Sequence, residues 1–106
     1  MTAILIYVTC EDEKEALKIA NSLVSSGVVA CANVIPQTMA VFKWEGFIQE
    51  KSEAILILKS QKDSLEEVIQ RVKQIHSYDL PCILAVQIEG GNAKFLEWIL
   101  SNSTRP

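Results

Sequence analysis

The chain has 106 residues, with ten Lys and Arg against thirteen Asp and Glu for a formal net charge of −3, which argues against a nucleic-acid partner. Hydrophobic residues make up 49% and charged residues 22%, with only four Gly and three Pro, which excludes disorder and collagen-like repeats. The length fits one domain, residues 1–106, able to bury roughly 65% of its unfolded surface without disulfide or metal staples.

Ala3–Val8 is an apolar run rich in Ile, Val and Tyr and predicts a buried strand. The acidic cluster Glu11-Asp12-Glu13 then opens a helix over 12–26. Asp12 with Glu15 resembles a capping box, and negative charge suits a helix N-terminus. Ala16, Leu17, Ala20, Leu23 and Val24 keep the spacing of one buried face, and Gly27 supplies a natural stop. From Val28 to Leu58 the period becomes that of strands. Ala30–Ile35 and Met39–Trp44 form one long arm interrupted at Pro36, and Glu45-Gly46 is the turn that returns it through Phe47–Lys59. Asp63–His76 reads as a second helix, with Leu65, Val68, Ile69, Val72 and Ile75 on one stripe. Cys82–Ile88 predicts a last strand, and Asn92 caps a short helix with Phe95, Leu96, Ile99 and Leu100 on its face. Ser101–Pro106 is polar and predicts a frayed tail.

The resulting order, β-α-β-β-α-β plus a terminal helix, is that of an α+β, ferredoxin-like sandwich: an antiparallel sheet with two helices on one face. Continuous apolar strands such as Ala54–Leu58 predict that the other face is covered as well. The arm Ala30–Trp44, if extended, spans roughly 50 Å. A globule of this length is roughly 33 Å across, so the hairpin between the second and third strands should overhang it. Its far end carries Val41, Phe42, Trp44, Phe47 and Ile48, too much apolar surface to leave in water. A partner chain must cover it, and a closed homo-oligomer is the economical solution.

The longest apolar runs fall far short of the ~18 residues that cross a bilayer, so no membrane partner is expected. Met1-Thr2-Ala3 enters an apolar strand directly, which predicts a cytoplasmic address. Cys10, Cys31 and Cys82 offer no Cys-x-x-Cys pair, which argues against a disulfide framework or a structural zinc site. They read as small buried hydrophobes, with Cys10, beside a helix start, the most reactive of the three.

No Gly-x-Ser-x-Gly, Walker loop or His-Glu-x-x-His occurs. The single histidine, His76, reads first as a residue facing the C-terminal end of its helix dipole and pointing outward. Its sharper reading is a ligand for copper or zinc, with Asp79 able to complete a loose shell. Asn33, a polar amide inside an apolar strand, must find a partner. Glu53 and Lys59 flank an apolar stretch and can pair or line a cleft. Tyr7, Tyr78 and Trp98 read as core or interface aromatics.

Several segments together resemble the CutA family of divalent-cation tolerance proteins. They are Tyr7-Val8-Thr9, Ala30-Cys31-Ala32-Asn33-Val34-Ile35-Pro36, Trp44-Glu45-Gly46 and Ile57-Leu58-Lys59, then His76-Ser77-Tyr78-Asp79-Leu80-Pro81 and Gly91-Asn92 followed by Phe95-Leu96-Glu97-Trp98. The resemblance covers residues 4–100. It implies a tight homotrimer similar in architecture to PII signalling proteins, without enzymatic activity. It also implies a role in metal-ion tolerance, with Cu²⁺ or another divalent cation bound in some members and no obligatory cofactor. Ligands of PII-like trimers lie in clefts between subunits, which makes Cys31, Asn33, Trp44, Lys59 and Tyr78 the candidate cleft residues. In copper-binding relatives a cysteine precedes the Thr of the first motif and two histidines precede the x-Tyr-x-x-Pro run. Val8 and Ile75 stand at two of those positions here, leaving His76, with Cys10 just past Thr9, as the candidate metal ligands. Two other readings are a cleft enzyme using Lys59, His76 and Glu89 as acid–base groups, and a structural trimer that scaffolds other proteins.

Overall fold

The computed structural model describes residues 2–104. Strand β1 (Ala3–Cys10) leads into helix α1 (Glu13–Ser25), then the paired strands β2 (Cys31–Trp44) and β3 (Phe47–Gln61). A 3-10 turn (Lys62–Ser64), helix α2 (Leu65–Ile75), strand β4 (Ile83–Gln87) and helix α3 (Ala93–Ser101) complete it. The four strands form one sheet in the order β2-β3-β1-β4, every neighbouring pair antiparallel. This is the ferredoxin-like arrangement expected from the sequence, with its extra C-terminal helix.

The alternation of each strand sorts its side chains onto two faces. Ile4, Ile6 and Val8 of β1 meet Ala54, Leu56 and Leu58 of β3 on one face, beneath Ala16, Ile19 and Leu23 of α1 and Val68 and Val72 of α2. That layer is the main core. On the other face α3 seats Ile99 against Ala3 and Ala30, with Leu96 and Leu100 alongside. Tyr7, Leu84 and Val86 on the same face remain exposed, so within one chain the second face is covered only at one end.

Asp12 caps α1 by accepting the Glu15 N–H at 2.8 Å, but the Glu15 carboxylate turns back to the Glu11 N–H at 2.9 Å rather than to Asp12. Gly27 follows α1 at φ 79°, a left-handed conformation that suits a residue without Cβ. The hairpin turns through Glu45 at φ 50° and Gly46 at φ 84°, both positive as a type I′ turn requires. Three residue steps on β2 match two on β3 between Ile35↔Ile55 and Thr38↔Glu53, so Pro36 lies in a bulge rather than ending the strand.

The hairpin overhangs as its length requires. The molecule measures 45 × 26 × 22 Å and its Cα radius of gyration is 14.3 Å, against ~13 Å for a compact chain of this size. Phe47 and Ile48 near the turn are 73% and 76% exposed, with Val41 and Trp44 also open to solvent. The polar C-terminal segment is not frayed up to Thr104. Ser103 is fully buried, its carbonyl accepting from Ser64 Oγ at 2.9 Å and its hydroxyl from Gln61 Nε2 at 3.3 Å. Residues 105–106 lie outside the described residues.

Candidate functional site

His76 ends α2, where its backbone N–H closes the last turn on Val72 O at 2.8 Å and its backbone then becomes extended. That reversal swings the imidazole under the molecule instead of outward, and the side chain is fully buried. Nε2 lies 2.8 Å from the Thr9 carbonyl, and Nδ1 accepts the Tyr78 N–H at 3.0 Å. A backbone carbonyl can only accept and a backbone amide only donate, so the ring is the neutral Nε2–H tautomer. The contact of 3.8 Å between Nδ1 and Glu15 Oε1 is therefore a close approach of two acceptor atoms rather than an ion pair.

Glu15 reaches this point from the first turn of α1. Burial alone would raise its carboxyl, but the Glu11 N–H and both the hydroxyl and the backbone N–H of Ser77 hold it below the ordinary range. The Ser77 N–H donates to Oε2 at 2.8 Å. Cys10 closes the group from the last position of β1. Its side chain is completely buried, and burial, together with the negative charges of Glu15, Glu53 and Asp12, pushes the thiol to about 12. The expectation of a reactive Cys10 is thus overturned: what its place beside a helix start suggested, the surrounding core and carboxylates reverse.

One ligand atom each from Cys10, Glu15 and His76 lies within 4.8 Å of the other two. The two candidate metal ligands of the sequence are therefore neighbours, and Glu15 joins them. Thiol, imidazole and carboxylate together suit a borderline ion such as Cu²⁺ or Zn²⁺ better than a hard one such as Mg²⁺. Glu15 read as a capping residue in the sequence, and that reading hid it. Its other partner, Ser77, stands 62 positions away and no local pattern links them.

The candidate cleft residues separate into three places. Trp44 and Tyr78 line one groove of about 630 Å³ with Thr9, Phe42, Lys51 and Cys82, between the hairpin and the loop before β4. There the Tyr78 hydroxyl donates to Glu53 Oε2 at 2.6 Å and the Lys51 ammonium sits 4.4 Å from the ring centre. Burial first, then the Glu53 hydrogen bond and charge, raise the Tyr78 phenol above its ordinary value. Asn33 and Lys59 lie on the open sheet face, where Lys59 Nζ donates to Asn33 Oδ1 at 2.8 Å and stands 5.6 Å from the Phe95 ring centre. Cys31 borders a shallower groove between α1 and the edge strand β2. Glu53 and Lys59 thus take Tyr78 and Asn33 as partners, not each other. Glu89, the carboxylate of the enzyme reading, is exposed near the end of β4.

A ferredoxin-like chain with an overhanging, apolar hairpin and a thiol–imidazole–carboxylate cluster, its thiol and imidazole buried, defines a class of small α+β proteins with a metal-compatible donor set. Residues 4–102 match the family model described as CutA1 divalent ion tolerance protein, and the chain belongs to that family. It is 42% identical to "Protein CutA, chloroplastic" of Arabidopsis thaliana over 97% of this chain and 56% of that one. The chain thus spans little more than half the length of that plant relative. It is 33% identical to "Divalent-cation tolerance protein CutA" of Pyrococcus horikoshii, over 96% of this chain and 99% of that one. Among solved structures, CutA1 from Oryza sativa superposes with a TM-score of 0.94 at 38% identity, covering 99% of this chain and 95% of that one. The "Periplasmic divalent cation tolerance protein CutA" from Archaeoglobus fulgidus gives a TM-score of 0.92 at 36% identity, covering 96% and 99%. Among the described residues no helix is long and apolar enough to cross a membrane.

Proposed function

We propose that this chain is one subunit of a non-enzymatic homotrimer that acts in divalent-cation tolerance, copper above all, in a reducing compartment such as the cytoplasm. The observation that carries the reading is the apolar surface one chain leaves open at the hairpin end (Val41, Trp44, Phe47, Ile48) and on the sheet face (Tyr7, Leu84, Val86). Copies of the same chain cover both at once when the hairpin of one lies along the sheet of the next. The clefts so formed hold a metal ion or a small ligand, with Trp44 and Tyr78 in the hairpin groove and Asn33 and Lys59 on the sheet face. Cations are met through His76 and Cys10. The relatives named for divalent-cation tolerance support this role, and the three free cysteines support a reducing compartment.

The chemistry favours binding over catalysis. Both nitrogens of His76 are engaged by backbone groups and the Cys10 thiol is held protonated, so neither is poised as base or nucleophile. The test is the content of the assembled protein purified without added metal. Stoichiometric copper supports the reading; a metabolite with no metal, turned over by the protein, would replace it with the cleft enzyme. Empty clefts that also fail to take up added Cu²⁺ favour the scaffold.

A further inference from the structure

We infer that Cys10 Sγ, Glu15 and His76 Nδ1 form a site for a borderline divalent cation, loaded by exchange against the Ser77 and Tyr78 backbone N–H groups. This rests on the reading above that the chain meets divalent cations directly, and it adds a third donor and a mechanism of entry.

The geometry points there on three counts. First, the ring is already set for ligation through Nδ1. A metal-bound histidine usually donates its other N–H to a carbonyl or carboxylate, and His76 Nε2 has that partner in Thr9 O at 2.8 Å. Second, the spacing is close to that of a coordination shell. Bonds of ~2.0 Å to N or O and ~2.3 Å to S put tetrahedral neighbours roughly 3.3–3.6 Å apart. His76 Nδ1 and Glu15 Oε1 stand at 3.8 Å, and all three donors fall within 4.8 Å. Third, the lone pairs an ion would need are already held by backbone N–H groups. Two belong to the loop, Tyr78 on Nδ1 and Ser77 on Glu15 Oε2, and the third is Glu11 on Glu15 Oε1.

Loop and cation therefore compete for the same atoms. When an ion binds, the Cys10 thiol gives up its proton to solvent, so uptake strengthens as pH rises. The displaced N–H groups belong to a surface loop, in which Ser77, Asp79 and Leu80 are exposed, and they can turn to water. Tyr78 moves with them. Because its hydroxyl bonds Glu53 and its ring walls the hairpin groove beside Trp44, filling the buried site reshapes the groove.

Zn²⁺ and Co²⁺ are suitable probes, since neither oxidises the thiol as Cu²⁺ does. Titration of the native assembly with Zn²⁺ should load one ion per chain and speed amide exchange at Ser77 and Tyr78 at least about tenfold, the mark of a local opening. Co²⁺ should give a thiolate-to-metal charge-transfer band that Cys10→Ser abolishes. Glu15→Gln, at a partly exposed position, should weaken Zn²⁺ binding roughly 10–100-fold and covers the case in which Cys10→Ser fails to fold. Ions bound while both amides stay protected and no thiolate band appears would overturn this site and leave the cation reading standing. A native protein that takes up neither ion would overturn both.

Discussion

The buried imidazole of His76 is the residue on which two elements of the structure close. It bonds the end of β1 through Thr9 O and the loop after α2 through the Tyr78 N–H. Replacing it by Ala leaves the Thr9 carbonyl short of a partner inside the fold, at a cost of about 1–3 kcal/mol, while the Tyr78 N–H of the surface loop can turn to water. His76→Ala should therefore lower stability by about 1–3 kcal/mol in denaturant titration; a change near zero would show that water reaches the carbonyl as well. Cys10 gives a second expectation. A thiol moved from 9.0 to about 12 has a thiolate fraction about a thousandfold smaller at neutral pH. It is also fully buried, so native alkylation should modify Cys10 last, after the half-buried Cys31 and Cys82. Labelling of Cys10 first, checked by peptide mapping, would mean that the first turn of α1 opens readily.

Among the elements, the hairpin is the one whose length exceeds what its own domain needs. Its end is held by local geometry, the type I′ turn at Glu45-Gly46, while its apolar side chains stand open to solvent. Trp44, 55% exposed in the single chain, should behave as an interface residue. Trp44→Ala should cost roughly 3–5 kcal/mol of assembly free energy if the ring is fully buried between subunits. The shift is measurable as dissociation at higher concentration with the secondary structure retained. Loss below about 0.5 kcal/mol would leave the tryptophan at the surface. The elements were legible in the sequence because each carries its own period: three helical stripes, alternating or continuous apolar strands, and turn residues at Gly27 and Glu45-Gly46. The site was legible in pieces only. His76 and Cys10 stood out as donor types, but their meeting depends on an extended backbone at His76 that no periodicity encodes. Glu15 was masked because one carboxylate serves both the helix start and a loop 62 residues on. The buried Ser103 was missed for a related reason: its polarity suggested solvent, whereas Gln61 and Ser64 supply partners from the far end of β3.

At the scale of the whole molecule the chain buries one sheet face well and leaves the other half dressed. The helices α1 and α2 cover a continuous core, whereas α3 covers one end of the opposite face. Exposed Tyr7, Leu84 and Val86 and the apolar hairpin end belong to one problem, because in the proposed assembly a neighbouring copy laid along the sheet covers both. Folding and assembly are then linked by mass action, and stability should rise with protein concentration. The central claim is that this surface is closed by two further copies of the chain. Sedimentation velocity across a micromolar concentration series tests it most directly. The account predicts a single species of three chains that persists on dilution and dissociates together with loss of native structure. A well-folded monomer, stable at micromolar concentration, would contradict it.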